Sequence, residues 1–180
     1  MRHNGFSLTE LLITLAIATL LLTAAVPGLG RLVANSRRTA DINALVSAIH
    51  LARNEAARQS GSVRLCPSLD GSVCLDDGAA FSFGWIVRID RAAGAGAAGG
   101  RESEVLLAYT PRIQGTVHAN RTAFVFRPNF RRGTNGTITF CDRRGADEAR
   151  AVIVSYTGRP RVSSQAAGGL RLRCPGGADD

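Results

Sequence analysis

Residues 5 to 27 read GFSLTELLITLAIATLLLTAAVP. From Phe6 to Val26 run 21 residues, almost all apolar. At a rise of about 1.5 Å per residue, a helix of that length crosses the roughly 30 Å hydrocarbon core of a bilayer. One residue is out of place. Glu10 stands near the start of the run, and a carboxylate inside a membrane costs about 2.5–3.5 kcal/mol at the helix centre and less toward the end. A charge kept at that cost marks function. A secretory signal has a basic region first, an apolar run second and a small-residue cleavage site third. Here the candidate cut, Gly5–Phe6, precedes the apolar run, and the short leader MRHNG carries Arg2.

This arrangement of Gly5, Phe6, Glu10 and an unbroken apolar helix resembles the N-terminus of type IV pilins and type II secretion pseudopilins. The resemblance implies that a prepilin peptidase removes residues 1–5 by cutting after Gly5 and methylates Phe6. It implies that the helix over residues 6–27 is held first in the inner membrane and then in a filament core, against other pilin subunits. Glu10 would offset the positive N-terminus of a neighbouring subunit, the partner a buried carboxylate needs. Pro27 matches a family proline at which the helix kinks or melts.

Beyond the anchor, Ile42, Leu45, Val46, Ile49 and Ala56 recur at helical spacing, with Asn43, His50, Arg53 and Glu55 between them. Residues 28–60 are therefore expected to continue the helix in amphipathic form, from about Phe6 to Gln59, ending near Ser60–Gly61. Residues 61–180 read as a β-rich region. Strands are expected at Ser62–Cys66, Gly84–Asp90, Glu104–Thr110, Phe124–Arg127, Thr137–Cys141, Ala151–Tyr156 and Arg159–Ser163, punctuated by Gly, Pro and Asn. RAAGAGAAGG, residues 91–100, reads as a mobile loop. A helix followed by a run of strands predicts an α+β domain with antiparallel sheets. RNEAARQSGSVRLCPSLDG, FGWIVRID, GTITFCDRRG and ARAVIVSYTGRPR extend the likeness: they resemble the GspH/FimT branch of minor pilins and pseudopilins. That implies a type IV pilin-like fold. A long N-terminal helix, transmembrane in its first half, would pack its amphipathic second half on antiparallel sheets. The resemblance also implies a single-pass inner-membrane protein with its globular part in the periplasm, carried to the cell surface if built into a pilus.

Cys66, Cys74, Cys141 and Cys174 are an even set in a region the anchor places outside the cytoplasm, where disulfides form. Four cysteines allow three connectivities. The expected one joins Cys66 to Cys74 around a short loop and Cys141 to Cys174 across a tail that carries Arg171 and Arg173. Zinc is disfavoured, because Cys-x7-Cys is not a usual ligand spacing and no His is placed to help.

The chain offers little for catalysis. His3, His50 and His118 are scattered, and no Ser-His-Asp or Cys-His arrangement can be drawn. GAGAAGG is followed by no helix, so it is a poor phosphate loop. Asp76–Asp77 reads as a solvated turn, and Trp85 as core. We expect no enzyme, cofactor or metal.

The charge carries more information. The chain has a net charge of +8, and all 22 basic residues are Arg. Guanidinium forks suit phosphate and stack on flat rings. From Arg112 onward, 12 Arg face 5 Asp and Glu, a balance of +7 over 69 residues. A basic half implies an anionic partner or surface. Within it stands Gly158-Arg159-Pro160-Arg161. In FimT-like proteins of naturally transformable bacteria a Gly-Arg-x-Arg motif at this place takes part in DNA binding, so the resemblance implies the same here. Glycine allows a tight turn and proline fixes φ. If residues 159–161 are extended, Arg159 and Arg161 share a face about 6.6–6.8 Å apart. Arg143, Arg144, Arg171 and Arg173 are candidates to widen the patch. No aromatic-plus-basic array for reading bases stands out, so contact with the phosphate backbone is expected, without sequence specificity and weakened by salt. The function expected is binding of extracellular DNA for uptake in natural transformation. The alternative is a GspH-like pseudopilin with a structural role in type II secretion or pilus assembly.

Overall fold

The computed structural model describes residues 7–58, 61–90, 103–128 and 132–175. The leader with Gly5 and Phe6, the helix end at Gln59–Ser60 and the loop 91–100 lie outside the described residues. One long helix, α1 (Leu8–Arg58), precedes eight described strands. These are β1 (Ser62–Pro67), β2 (Trp85–Asp90), β3 (Ser103–Tyr109), β4 (Gly115–Ala119), β5 (Phe124–Phe126), β6 (Gly136–Asp142), β7 (Arg150–Val154) and β8 (Pro160–Ser163). The chain divides into two compact units between Ser36 and Arg37.

The first unit is the apolar part of α1. Its start is capped by Ser7, whose Oγ accepts the Thr9 N–H at 3.3 Å. Glu10 sits exposed in the first turn, where the helix dipole favours a negative charge. The leucines and isoleucines from Leu8 to Leu22 are exposed. Threonines stand among and just after them. Thr14, Thr19 and Thr23 each donate to the carbonyl three residues back, at 2.9, 2.8 and 2.8 Å. That satisfies polar groups which hydrocarbon could not. The backbone stays helical through Pro27.

The second unit begins at Arg37 and holds the rest of α1 with two four-stranded sheets. Ile42, Leu45, Ala48, Ile49, Ala52 and Ala56 are buried, a stripe that repeats every three or four residues. The sheets are antiparallel, in the orders β3-β2-β1-β5 and β4-β6-β7-β8. Both contribute to one core against the helical stripe: Val63, Leu65, Val87, Ile89, Phe124 and Phe126 from the first, and Val117, Ile138, Phe140, Val152 and Val154 from the second. The long helix on antiparallel sheets follows the expected architecture. β4 is an addition, because GTVHA is short and half polar and gives a weak strand signal.

A buried carboxylate fixes the helix to this core. Asp41 accepts from the Tyr109 hydroxyl at 2.8 Å and from the backbone N–H groups of Arg112 and Ile113 at 3.0 and 2.7 Å. Burial first, and then the Asp41 bond, push the Tyr109 hydroxyl up to about 12. Disulfides join Cys66 to Cys74 and Cys141 to Cys174. The second holds the C-terminal tail on the outer face of the second sheet, where Leu172 and Ala166 pack with Cys141, Ala149 and Ala151.

Candidate nucleic-acid interface

β7 and β8 are joined by the turn Ser155–Arg159. The Ser155 N–H donates to the Arg159 carbonyl at 3.1 Å, and the Gly158 N–H donates to the Ser155 carbonyl at 2.9 Å. The Arg159 N–H is held by Ser155 Oγ at 3.1 Å. Gly158 has φ +73°, and a Cβ there would lie 2.9 Å from the Phe126 ring. Glycine is thus required both by conformation and by space. Beyond it, Pro160 pairs with Val154 and Arg161 with Ile153. Val152 and Val154 face the core, so Arg161 stands on the opposite face of the sheet. Arg159 and Arg161 are both exposed and make no ion pair among the described residues.

The other arginines expected at this site lie elsewhere. Arg143 and Arg144 follow Asp142, which is the far end of β6 from Gly136 and the Gly158 turn. Arg161 is level with Thr137, so Asp142 lies five residues further along, about 17 Å at strand rise. Arg171 joins this far group through an ion pair to Asp147 at 2.7 Å, in which both side chains are exposed. Arg173 is placed beside Cys141 by the disulfide to Cys174. Six of the seven positions therefore fall into two groups: Gly158, Arg159 and Arg161 at the hairpin turn, and Arg143, Arg171 and Arg173 toward the other end of the second sheet.

Arg144 departs from the expected surface role. Its Nε donates to Asp142 Oδ1 at 3.0 Å, and its Nη1 lies 3.7 Å from Glu148. Asp142 is buried and also meets Arg38 of α1 at 3.4 Å, while Arg38 donates to the Glu148 carbonyl. Arg144, through its hydrogen bonds, and Arg38, through its charge, hold the Asp142 carboxyl below its ordinary range, against the opposing effect of burial. Burial pushes Arg38 down. This guanidinium is committed to a structural latch between helix and sheet.

Four residues that gather at the Gly158 turn were not singled out from the sequence. Arg53, Arg127, Tyr156 and Gly133 line one small cleft with Gly158 and Phe126. The Gly133 N–H donates to the Tyr156 carbonyl at 2.9 Å, and Arg132 lies over the Tyr156 ring, 5.2 Å from its centroid. The residues come from α1, β5, the following loop and the hairpin, so sequence spacing gives no sign of their meeting. Elsewhere, His118 pairs opposite Thr139 on the outer sheet face, and burial lowers its pKa. No cluster of His, Cys, Asp and Glu suited to a metal occurs among the described residues.

Comparison with known proteins adds three findings. A prokaryotic N-terminal methylation motif matches residues 1–26, and the family of the type II transport protein GspH matches residues 41–158. Among curated proteins none matches. Two crystal forms of the type IV minor pilin FimU of Pseudomonas aeruginosa PAO1 are similar at 20% identity. One has a TM-score of 0.50 and covers 75% of this chain and 92% of its own. The other has a TM-score of 0.49 and covers 75% and 98%. At that identity the likeness speaks for the fold alone.

Proposed function

This chain belongs to the GspH family and is a minor pilin or pseudopilin, and on that premise we propose that it binds the phosphate backbone of extracellular DNA for uptake in natural transformation. The observation that carries the reading is the Gly158 turn. It presents Arg159 and Arg161, exposed and without ion pairs among the described residues. The residues proposed to contact phosphate are Arg159, Arg161, Arg143, Arg171 and Arg173, with Gly158 shaping the turn. Arg171 must exchange its exposed Asp147 pair for a phosphate, which costs little because such a pair contributes about 0–1 kcal/mol. The N-terminal motif, matched over residues 1–26, supports removal of residues 1–5 by prepilin peptidase and residues 6–27 as the inner-membrane and filament segment, and we propose residues 28–60 as its amphipathic continuation. Residues 61–180 form the β-rich part, on the periplasmic side before assembly.

The test is a titration of the full chain, held in uncharged detergent, with a labelled duplex at two salt concentrations. The wild type is expected to bind with an affinity that falls as salt rises. Each phosphate contact removed should reduce the slope of log K against log salt by about 0.9. Arg159→Gln/Arg161→Gln is expected to abolish most binding with the fold intact. Equal binding by both proteins would assign affinity to diffuse charge. No binding near physiological salt would favour the structural reading, a pseudopilin of a type II secretion system or of pilus assembly, which the name of the matching family supports.

A further inference from the structure

Tyr156 is the second residue of the Ser155–Arg159 turn, and the residue is 51% exposed. Hairpin tips are in general more mobile than the strands they connect. Yet this one is held in place. Its carbonyl accepts the Gly133 N–H at 2.9 Å, and the next residue of that loop, Thr134, donates to the Val125 carbonyl at 3.0 Å. The Arg132 guanidinium lies 5.2 Å from the ring centroid, and the Arg132 carbonyl accepts from Arg127 Nη1 at 2.6 Å. Three residues after Tyr156 comes Arg159. The turn therefore presents an exposed ring with a guanidinium lying over it and, three residues on, a cation suited to phosphate.

Resting on the DNA-binding reading above, we infer that Tyr156 and Arg132 form a stacking platform for an unpaired nucleobase beside the phosphate-holding arginines of the Gly158 turn. Within a duplex the base faces are already covered by their neighbours. An unpaired base has a free π-face, and both aromatic rings and guanidinium planes accept it. Every base has such a face, so stacking is compatible with sequence-independent binding. Arg159 and Arg161 then hold the phosphates that flank the stacked nucleotide.

The experiment compares three probes on the full chain in uncharged detergent: a labelled oligothymidylate, an abasic sugar-phosphate oligomer of the same length, and a duplex of the same length. The oligothymidylate is expected to bind about fivefold or more tighter than the abasic oligomer, the effect of one stacked base. Tyr156→Ala should erase that difference, while Tyr156→Phe should keep it. Equal affinity of the wild type for oligothymidylate and abasic oligomer overturns the platform. If duplex still binds in that case, phosphate contact stands without stacking. If none of the three probes binds, both readings fall. The wild-type comparison needs no variant, so a misfolded Tyr156→Ala would not shield the inference.

Discussion

Gly158 is fixed by two separate constraints, a positive φ and a ring 2.9 Å from where a Cβ would stand. Left-handed backbone costs a non-glycine residue about 1–2 kcal/mol. Gly158→Ala is therefore expected to destabilise the protein by about 1–3 kcal/mol, allowing for repacking of Phe126, as measured by equilibrium urea denaturation. Asp41 offers a sharper case. Asp41→Ala would strand the Tyr109 hydroxyl and two partly buried backbone N–H groups, at a cost of about 2–3 kcal/mol in the same assay. The two residues also mark how far the sequence can be read. Gly158 declares itself, because glycine before Arg-Pro-Arg implies a turn. Asp41 does not, because a carboxylate at the head of an amphipathic stripe looks solvated until the strand that buries it is in place. Arg143 and Arg144 are identical as text. Packing alone turns Arg143 to water and Arg144 to Asp142.

At the scale of elements, α1 is secured to the second sheet by Arg38 and the carboxylate of Asp142. The folded protein holds Asp142 below its unfolded pKa, so the native state binds this proton less readily than the unfolded chain. The stabilisation is therefore complete above the unfolded value of about 3.9 and is lost as pH falls through the lower, folded one. Urea midpoints taken from about pH 7 down to about pH 2 should decline in the acid range, and Asp142→Asn should be weaker at neutral pH with a shallower acid decline. An unchanged acid limb in that variant would remove Asp142 from the account. Helical period and β-branched runs were enough to expect α1 and seven of the strands, to within a few residues. β4 escaped because its register with β6, rather than its composition, makes it a strand. The Tyr156–Arg132 contact escaped for a related reason: it depends on a loop after β5 reaching a hairpin after β7.

Across the whole molecule, two disulfides divide the work unequally. Cys66–Cys74 spans 8 residues and Cys141–Cys174 spans 33. By loop entropy their removal should cost about 2.5 and about 3.7 kcal/mol respectively. Replacing Cys141 and Cys174 with Ser should also speed hydrogen exchange in the tail before the sheets open, since little beyond Leu172 and Ala166 packs it down. The charge balance was legible as a basic half, but its division into two cationic ends was not, because only strand register sets their separation. The first unit has a consequence of another kind. Thr14, Thr19 and Thr23 each turn their hydroxyl onto their own backbone. These groups ask nothing of the medium around them, so exchanging lipid for the flank of another helix breaks no hydrogen bond at any of the three. The anchor is in that respect indifferent to its solvent, a rod that can change surroundings without first being stripped of partners.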